Sequence, residues 1–367
     1  MELNIVNFIK THTDWEQELA RKPYYIIVKR KSPFILFSYN QIKSDFANPI
    51  VKECRGIILE EQTLTPVCVP FFKFGNYGEG YADIIDWGSA RVQEKIDGSL
   101  IKVWNYKNEW HISTNGNIDA RDSNLQSGSP YKTFYELFNV AAGNAGLCIE
   151  NLDKNFTWMF ELISQYNRVV VPHEKPDIVH IGTRNIHTLV ECDKHIGIKK
   201  PKMFNLNSLS ECIATAETLP FSEEGYVVVD NDWHRNKIKS PAYVAIHHLK
   251  GNGAITNTKA IGLIRLNEQN EFLTYYPEYA NLFESIKGEI EQLTKSIDAD
   301  IYKIGNKDVG TRGDFSKLAN GSCCPPALYC WLDRKCLCGE EYLWQLSDDK
   351  IAELTQLNML SKAERTV

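Results

Sequence analysis

Long apolar runs and the common phosphate-binding loops are both absent from this sequence. The longest apolar runs, such as residues 24–28, are far too short to span a bilayer. The N-terminal residues include acidic side chains and lack the layout of a signal peptide. No GxxxxGK(S/T) loop and no glycine-rich kinase loop occurs, so neither of these phosphate cradles is available. We expect a cytoplasmic protein that does not contact a membrane.

Composition indicates an ordinary globular chain with reduced thiols. The 367 residues are 43% hydrophobic and 24% charged, and they suffice for two or three domains. Ten cysteines without a secretory signal favour free thiols in a cytosol. A net charge of −6 argues against indiscriminate coating of nucleic acid, although a basic cleft can exist within an acidic protein.

Two local clusters leave alternatives open. A basic and aromatic segment, residues 21–31, suits contact with a nucleic-acid backbone and bases, but also an ordinary solvated edge strand. Five cysteines between residues 323 and 338 admit a zinc site. They contain no CxxC pair and no histidine follows His248, so small buried thiols in a helical domain are the preferred interpretation.

The chain divides by its secondary-structure patterns near residue 249. Residues 1–248 alternate short strand-like runs with turns and carry helical patterns at 131–142 and about 205–218. Residues 249–367 are dominated by helical patterns, which lie at 275–296, 314–320, 326–333 and 348–362. We therefore predict an α+β fold, with an antiparallel-sheet domain followed by a smaller all-helical C-terminal domain.

Lys95 lies in the stretch QEKIDGSLIKVW (93–104), at the end of one strand pattern and before an Asp-Gly turn. An exposed cation on a hairpin and an amine held at a cleft are both possible there. Four further charged sites occur in strand-like, mostly apolar surroundings, where lone charges are costly. These sites are Lys73, Glu161, Glu224 and the pair Lys237 and Lys239; Arg55 also precedes a glycine and an apolar run.

Together these residues make the attack of a lysine on a nucleoside triphosphate possible. Lys237 and Lys239 are two apart and share a strand face, so with Arg55 they suit the phosphates of a nucleoside triphosphate. Glu224 suits a divalent cation, which prefers oxygen ligands, and Lys95 then meets the α-phosphorus. Neighbouring cations and a metal disfavour the ammonium form of such a lysine and neutralise a pyrophosphate leaving group.

The sequence resembles the covalent nucleotidyltransferases, which include RNA ligases, DNA ligases and capping enzymes, and most of all the phage RNA ligase 1 type. The resemblance covers about 210 residues in the family's order. It is carried by FSYN (37–40), ECRGI (53–57), KFGN (73–76), EKIDGSL (94–100), FELISQYNRVVV (160–171), EGYVVV (224–229) and KIKSPAYV (237–244).

The resemblance implies a role for each matching residue. Lys95 corresponds to the adenylylated nucleophile of the Lys-x-Asp-Gly motif. Tyr39, Arg55 and Lys73 fall where the family contacts the nucleotide and its phosphates, and Glu161 falls at the nucleoside-contacting glutamate. Glu224 corresponds to the acidic residue for metal and lysine activation, Lys237 and Lys239 to the phosphate-binding pair, and Tyr243 to a tyrosine needed for ligation.

Two features depart from the pattern. Asn115 stands where the family pattern leads us to expect a basic residue, which places one RNA or phosphate contact in doubt. An acidic metal site is expected just past the catalytic domain, where only Glu268 and Glu271 are acidic in NEQNE (267–271). We take Glu271 as the candidate ligand there.

The resemblance implies an ATP-dependent RNA ligase that uses Mg²⁺ or Mn²⁺ and joins 5′-phosphate and 3′-hydroxyl RNA ends, with broken tRNA as the expected substrate. Residues 313–321 (GDFSKLANG) resemble the tRNA-recognising part of RNA ligase 1. Helical patterns after residue 249 argue against the barrel of a DNA ligase or capping enzyme. A non-catalytic nucleic-acid-binding protein on this scaffold and a ligase of single-stranded DNA stay open as alternatives. No obligate protein partner is evident, and host-cell cytoplasm is expected if a phage encodes the protein.

Overall fold

A computed structural model describes residues 2–125, 128–171, 173–249, 255–305 and 311–363. The side chains of residues 248, 249, 271, 275 and 356–363 lie outside this description. The chain forms two compact units, residues 1–250 and 251–367. No helix among the described residues is long and apolar enough to cross a membrane.

The first unit contains all of the described strands. In chain order they are β1 Ile26–Lys31, β2 Phe34–Tyr39, β3 Arg55–Glu60, β4 Pro66–Cys68, β5 Gly75–Asn76, β6 Arg91–Glu94, β7 Ser99–Tyr106, β8 Glu109–Ser113, β9 Phe156–Ile163, β10 Asp177–Asn185, β11 Glu191–Cys192, β12 Met203–Phe204, β13 Gly225–Val229 and β14 Arg235–Lys239.

These strands form three sheets, ordered β1-β2-β3-β4, β11-β10-β9-β7-β8 and β12-β6-β13-β14-β5. Every pairing is antiparallel except that of β14 with β5. The α+β class with antiparallel sheets, predicted from the sequence, is therefore confirmed.

Helices cover the outer faces of these sheets. In the first unit they are α1 Asn4–Thr11, α2 Trp15–Leu19, α3 Pro49–Glu53, α4 Phe134–Ala145, α5 Leu209–Ala216 and α6 Pro241–Leu249. Short 3₁₀ turns occur at Ala120–Asp122 and Ile149–Asn151. Helix α4 begins where the Thr133 side chain accepts the Glu136 N–H and ends at Gly146 in the left-handed region, the usual N-cap and C-cap chemistry.

Separate apolar cores tie these layers together. One core lies between the first sheet and α1 to α3, and another lies between α4 and one face of the β7–β9–β10 sheet. A third, which includes Phe34, Ile58 and Trp104, joins the first sheet to β7. A fourth packs α5 on β6 and β13. These cores fix the positions of the two five-stranded sheets.

The second unit consists only of helices within the residues described. They are α7 Asn257–Arg265, α8 Gln269–Tyr275, α9 Ala280–Gly305, α10 Arg312–Ala319, α11 Pro325–Leu332, α12 Gly339–Leu343 and α13 Asp348–Ala363, with a 3₁₀ turn at Pro277–Tyr279. Buried residues of α9 recur at helical spacing and include Phe283, Ile286, Ile290, Leu293 and Ile297. This stripe packs against α7, α11, α12 and α13.

The cysteines near the C-terminus do not form a metal cluster in the part of the chain that the structure covers. Cys324 and Cys336 are buried in the helical unit, whereas Cys323 is exposed. Burial raises the pKa of the Cys336 thiol to about 12, so this thiol stays protonated.

Candidate active site

A cleft of 280 Å³ lies between the two five-stranded sheets. It brings together five residues that the sequence singled out, which are Arg55, Lys95, Glu161, Lys237 and Lys239. They come from β3, the segment after β6, β9 and β14, so residues far apart in sequence converge on one space. Asn115, the departure from the family pattern, also lines this cleft.

Lys95 sits at the end of β6 and is held by its own backbone. Its N–H donates to the Gly225 carbonyl at 2.8 Å, which ties it to the start of β13. Its ammonium Nζ lies 2.6 Å from Glu224 Oε1. The Lys95 side chain is 20% exposed and the Glu224 side chain 4%, so an incoming molecule reaches the amine first.

The Asp-Gly turn after Lys95 does not make a hairpin, which differs from the simplest interpretation of the sequence. β6 pairs with β12 and β13, whereas β7 pairs with β8 and β9, so the turn carries the chain from one sheet to the other. A local turn signal identifies a change of direction but contains no information about the strand that follows. The turn therefore places Lys95 where the two sheets face each other.

Asp97 fixes this turn through a saturated carboxylate. Its Oδ2 accepts the N–H groups of Val170 and Val171 at 2.8 and 2.6 Å, and its Oδ1 accepts the Tyr243 hydroxyl at 2.9 Å. Gly98 is needed because a Cβ there would lie 2.5 Å from the Leu162 carbonyl oxygen. The aspartate and glycine of the motif thus anchor the segment that carries Lys95.

Tyr243 belongs to this anchor. It is 2% exposed, lies in α6 and meets Asp97 rather than the open cleft. The structure therefore places Tyr243 against the aspartate of the turn after Lys95, and its role in ligation stays a prediction.

The two lysines of β14 take different places although they share a strand face. Lys239 Nζ lies 3.7 Å from Glu224 Oε1, the same oxygen that Lys95 approaches. Lys237 Nζ lies 5.1 Å from the ring centroid of Phe74. The Arg55 guanidinium lies 5.5 Å from the same ring, so two cations lie close to Phe74. Phe74 had no predicted role, because its position became informative only when three distant segments met.

Tyr39 and Lys73 lie together but do not line the described part of the cleft. Lys73 Nζ lies 4.4 Å from the Phe46 ring centroid and 5.4 Å from that of Tyr39. Such contacts hold an ammonium group in an aromatic site. Because Lys73 directly precedes Phe74, this site adjoins the wall that carries Arg55 and Lys237.

Apolar side chains also line part of the cleft. Ile181, Pro201 and Val227 line it together with Gln93. Gln93, Glu94 and Lys95 are consecutive in the chain and all line the cleft, so closeness to Lys95 is the signal that identifies Gln93. Ile181 and Pro201 come from segments with no local sign of such a role. These apolar side chains suit a planar base, with Gln93 supplying an amide.

Glu161 lines the cleft on β9 and is perturbed by its surroundings. Burial raises its pKa to about 7, while Lys95 acts in the opposite direction and the Glu224 carboxylate adds to the rise. The residue is partly accessible from the cleft, so a bound molecule can contact it. Glu161 therefore changes its charge near neutral pH.

This raised pKa predicts how stability depends on pH. The folded protein keeps the Glu161 proton to about pH 7, whereas an unfolded glutamate loses it near 4.5. Because the folded state then binds more protons, stability falls as pH rises through this window. We expect Glu161→Gln to melt at a higher temperature than the wild type at pH 8 and at the same temperature at pH 4. The exposed Glu150→Gln serves as control, and an equal difference at both pH values would contradict the assignment.

The residues for a divalent cation fit in part. Glu224 Oε2 is buried and has no hydrogen-bond partner among the described residues, so an oxygen ligand is available beside Lys95. No group of three or more His, Cys, Asp or Glu side chains in the described ranges forms a metal cluster. One carboxylate combined with substrate phosphates is a common way to bind Mg²⁺. Glu271 lies in α8, but its side chain is outside the described residues.

Two of the five cations in the basic segment from residue 21 to 31 are paired with acidic neighbours. Arg30 pairs with Glu16 and Glu61 at 2.6 and 2.7 Å, and Lys31 pairs with Asp119 and Asp122 at 3.0 and 2.8 Å. These contacts make the segment a weaker candidate for binding nucleic acid than its sequence indicated.

Comparison with protein families identifies the class of the chain. A family model described as RNA ligase matches residues 53–243, which is more than half of the chain. The chain belongs to the RNA ligase family, and this confirms the resemblance found in the motifs.

Two relatives are similar over much of the chain. One, named as a bifunctional polynucleotide kinase/RNA ligase of Autographa californica nuclear polyhedrosis virus, is 31% identical over 267 residues, which cover 68% of this chain and 38% of the relative. The other, an RNA ligase of Rhodothermus phage RM378, is 26% identical over 365 residues, which cover 80% of this chain and 82% of the relative. The chain thus spans well under half of the viral relative.

Solved structures show more distant similarity. An archaeal ATP-dependent RNA ligase is 12% identical, with a TM-score of 0.45 and coverage of 87% of this chain and 89% of that chain. A Naegleria gruberi RNA ligase with PPi is 16% identical, with a TM-score of 0.33 and coverage of 44% and 52%.

Proposed function

We propose that this protein is an ATP-dependent RNA ligase that joins a 5′-phosphate and a 3′-hydroxyl through a lysine–AMP intermediate. The observation that carries the proposal is the Lys95 amine, 2.6 Å from Glu224 in a cleft that also contains Arg55, Lys237 and Lys239. Membership of the RNA ligase family supports the same reaction.

In the first step, the Lys95 nitrogen attacks the α-phosphorus of ATP. A phosphorus–nitrogen bond forms, the bond to the β-phosphate oxygen breaks, and pyrophosphate leaves. Glu224 Oε1 is positioned to accept the proton that the ammonium must lose before attack. A divalent cation bound at Glu224 Oε2 would supply positive charge to the phosphates.

The other cleft residues position the nucleotide. The base lies against Ile181, Pro201 and Val227, and the Glu161 carboxylate contacts the nucleoside between the base and the phosphates. Charge on the departing pyrophosphate is neutralised by Arg55, Lys237 and Lys239. Tyr39 and Lys73 lie next to these cations, because Lys73 directly precedes Phe74.

Two further steps complete the reaction. AMP passes from Lys95 to an RNA 5′-phosphate, which forms a pyrophosphate bond and frees the lysine. A 3′-hydroxyl oxygen then attacks the activated 5′-phosphorus, which forms the phosphodiester and releases AMP.

Circularisation of a short linear RNA tests this activity. We expect a 5′-phosphorylated RNA with a free 3′-hydroxyl to become a circle resistant to phosphatase, only when ATP and a divalent cation are present. The same RNA without its 5′-phosphate is the control. Binding of RNA without any sealed product would favour a non-catalytic binding protein, and sealing of the matching DNA alone would favour a DNA-joining ligase.

Recognition of tRNA is the finer part of the proposal. Residues 313–321, which carry the family likeness, form α10 from its second residue onward and the turn after it. The helical unit from residue 251 is therefore the candidate for tRNA contact.

A truncation separates the two units. All of the catalytic motifs end by Val244, so we expect a chain ending at Lys250 to react with ATP at Lys95 and to join a pre-adenylylated unstructured RNA. It should lose any preference for a nicked anticodon stem-loop over a linear strand. Circular dichroism establishes that the truncated chain is folded. A folded truncated chain with undiminished tRNA preference would place recognition in the first unit.

A further inference from the structure

Lys102 is a lysine with no access to solvent, and it lies directly behind the cleft. It is 0% exposed and occupies β7 two residues after Leu100, which lines the cleft, so both side chains leave the same face of the strand. A buried ammonium group is costly unless it is paired. Its hydrogen bond in the described structure is donated to the carbonyl oxygen of Gly56.

This hydrogen bond supports the start of β3 that carries Arg55, where the pairing with β2 has an irregular register. Gly56 has a φ of +79°, and a Cβ at that position would lie 2.8 Å from Lys102 Nζ and 2.5 Å from the Asn115 carbonyl oxygen. Lys102, Gly56 and Asn115 are therefore packed against one another. Arg55 and Asn115, on either side of this contact, both line the cleft.

The wall formed by Arg55 and Asn115 has unused capacity for an anion. Arg55 Nη1 is buried and lacks a hydrogen-bond partner within the described ranges, although a guanidinium group is a strong donor to phosphate. Asn115 contributes no charge. Lys102 donates to the carbonyl of the residue after Arg55, so it places a second positive charge next to Arg55.

We propose that Lys102 is a positioning residue for nucleotide binding, which fixes the irregular Arg55–Gly56 start of β3 and adds positive charge behind the Arg55–Asn115 wall where the triphosphate binds. The inference rests on the proposed ligase function, because it takes ATP as the molecule in the cleft. Lys102 does not touch the nucleotide and acts through Arg55 and Asn115.

The charge state of Lys102 is sensitive to this environment. Burial lowers its pKa to about 8, the Cys68 thiol of β4 acts in the opposite direction, and the Arg55 guanidinium of β3 lowers it further. Lys102 is thus charged at pH 7 and largely neutral at pH 9 in the empty cleft. Phosphates bound beyond Arg55 favour the charged form, so nucleotide affinity should weaken as pH rises past 8.

Replacement of Lys102 by methionine tests the proposal, because methionine has similar length and no charge. We expect the KM for ATP in formation of the Lys95 adduct to rise about tenfold, with the rate at saturating ATP changed by less than about twofold. Lys107→Met, on the exposed turn of the same β7–β8 hairpin, is the matched control and should leave both values unchanged.

A second substitution distinguishes charge from packing. Asn115→Lys in the Lys102→Met protein returns a positive charge to the same wall, so we expect it to recover most of the lost ATP affinity. A purely structural role for Lys102 predicts no recovery. A folded Lys102→Met protein with an unchanged KM would overturn the inference, whereas absence of any adduct in the wild type would count against the ligase proposal instead.

If Lys102→Met does not fold, the pH dependence of ATP binding decides. ATP affinity is measured on Lys95→Ala, which removes the reaction, between pH 7.5 and 9. We expect affinity to weaken several-fold, which follows from the value of about 8 for the free protein. Glu161 ionises near pH 7 and its negative charge would weaken ATP binding in the same direction, so the measurement is made in Lys95→Ala that also carries Glu161→Gln. Equal or tighter binding at pH 9 in that background would overturn the proposal.

Discussion

Lys95→Ala should abolish the covalent AMP–protein adduct, because no other group takes the place of its amine beside Glu224. Lys239, the nearest lysine, approaches the same Glu224 oxygen at 3.7 Å but lies on another strand. Lys95→Arg should fail as completely, since a guanidinium group stays protonated at any working pH.

Radiolabelled ATP followed by denaturing electrophoresis measures this adduct. The substitution changes one partly exposed side chain, so the fold should persist, and Lys175→Ala on the surface controls for loss of a positive charge. The assignment of Lys95 is wrong if either variant still carries an acid-labile phosphoramidate-linked AMP after denaturation.

Loss of either β14 lysine should slow formation of the adduct by about two to three orders of magnitude at pH 7, a typical effect of removing one group that stabilises a developing charge. The two variants should differ at higher pH. Lys239 shares Glu224 Oε1 with Lys95, so its loss disturbs the balance of charge around the nucleophile. Lys237 lies by Phe74, close to Arg55, which we also assign to the pyrophosphate leaving group.

We therefore expect part of the Lys239→Ala defect to be relieved between pH 7 and 9, because a lysine amine loses its proton more easily as pH rises. The Lys237→Ala defect should stay equally deep. Rates of adduct formation at saturating ATP across this range give the comparison. Parallel profiles for the two variants would assign both lysines to phosphate binding alone.

The sequence contained enough to predict the fold class and most of the charged residues that line the cleft. Alternation placed Lys237 and Lys239 on one strand face, and charges in apolar strands identified Glu161 and Glu224, because burying such groups is costly without a function. Periodicity also indicated α4, α5 and the helical second unit. These signals are local, and they can be detected in the sequence because each depends on only a few neighbouring residues.

Features that depend on distant segments were not predictable in this way. The Asp-Gly turn leads to a different sheet, which only strand pairing reveals. The hydroxyl of Tyr243 meets Asp97 across 146 residues. Phe74 lies close to Arg55 and Lys237 because separate strands pack together, and Lys102 contacts Gly56 for the same reason.

The most direct test of the central claim is a chase of the isolated adduct. Wild-type protein labelled from α-labelled ATP is freed of nucleotide and mixed with a 5′-phosphorylated RNA and a divalent cation. We expect the label to leave Lys95 and to appear first on the RNA 5′ end as AMP, then as free AMP when the circle forms. Label that stays on the protein while RNA is sealed, or that never joins Lys95, would contradict that claim.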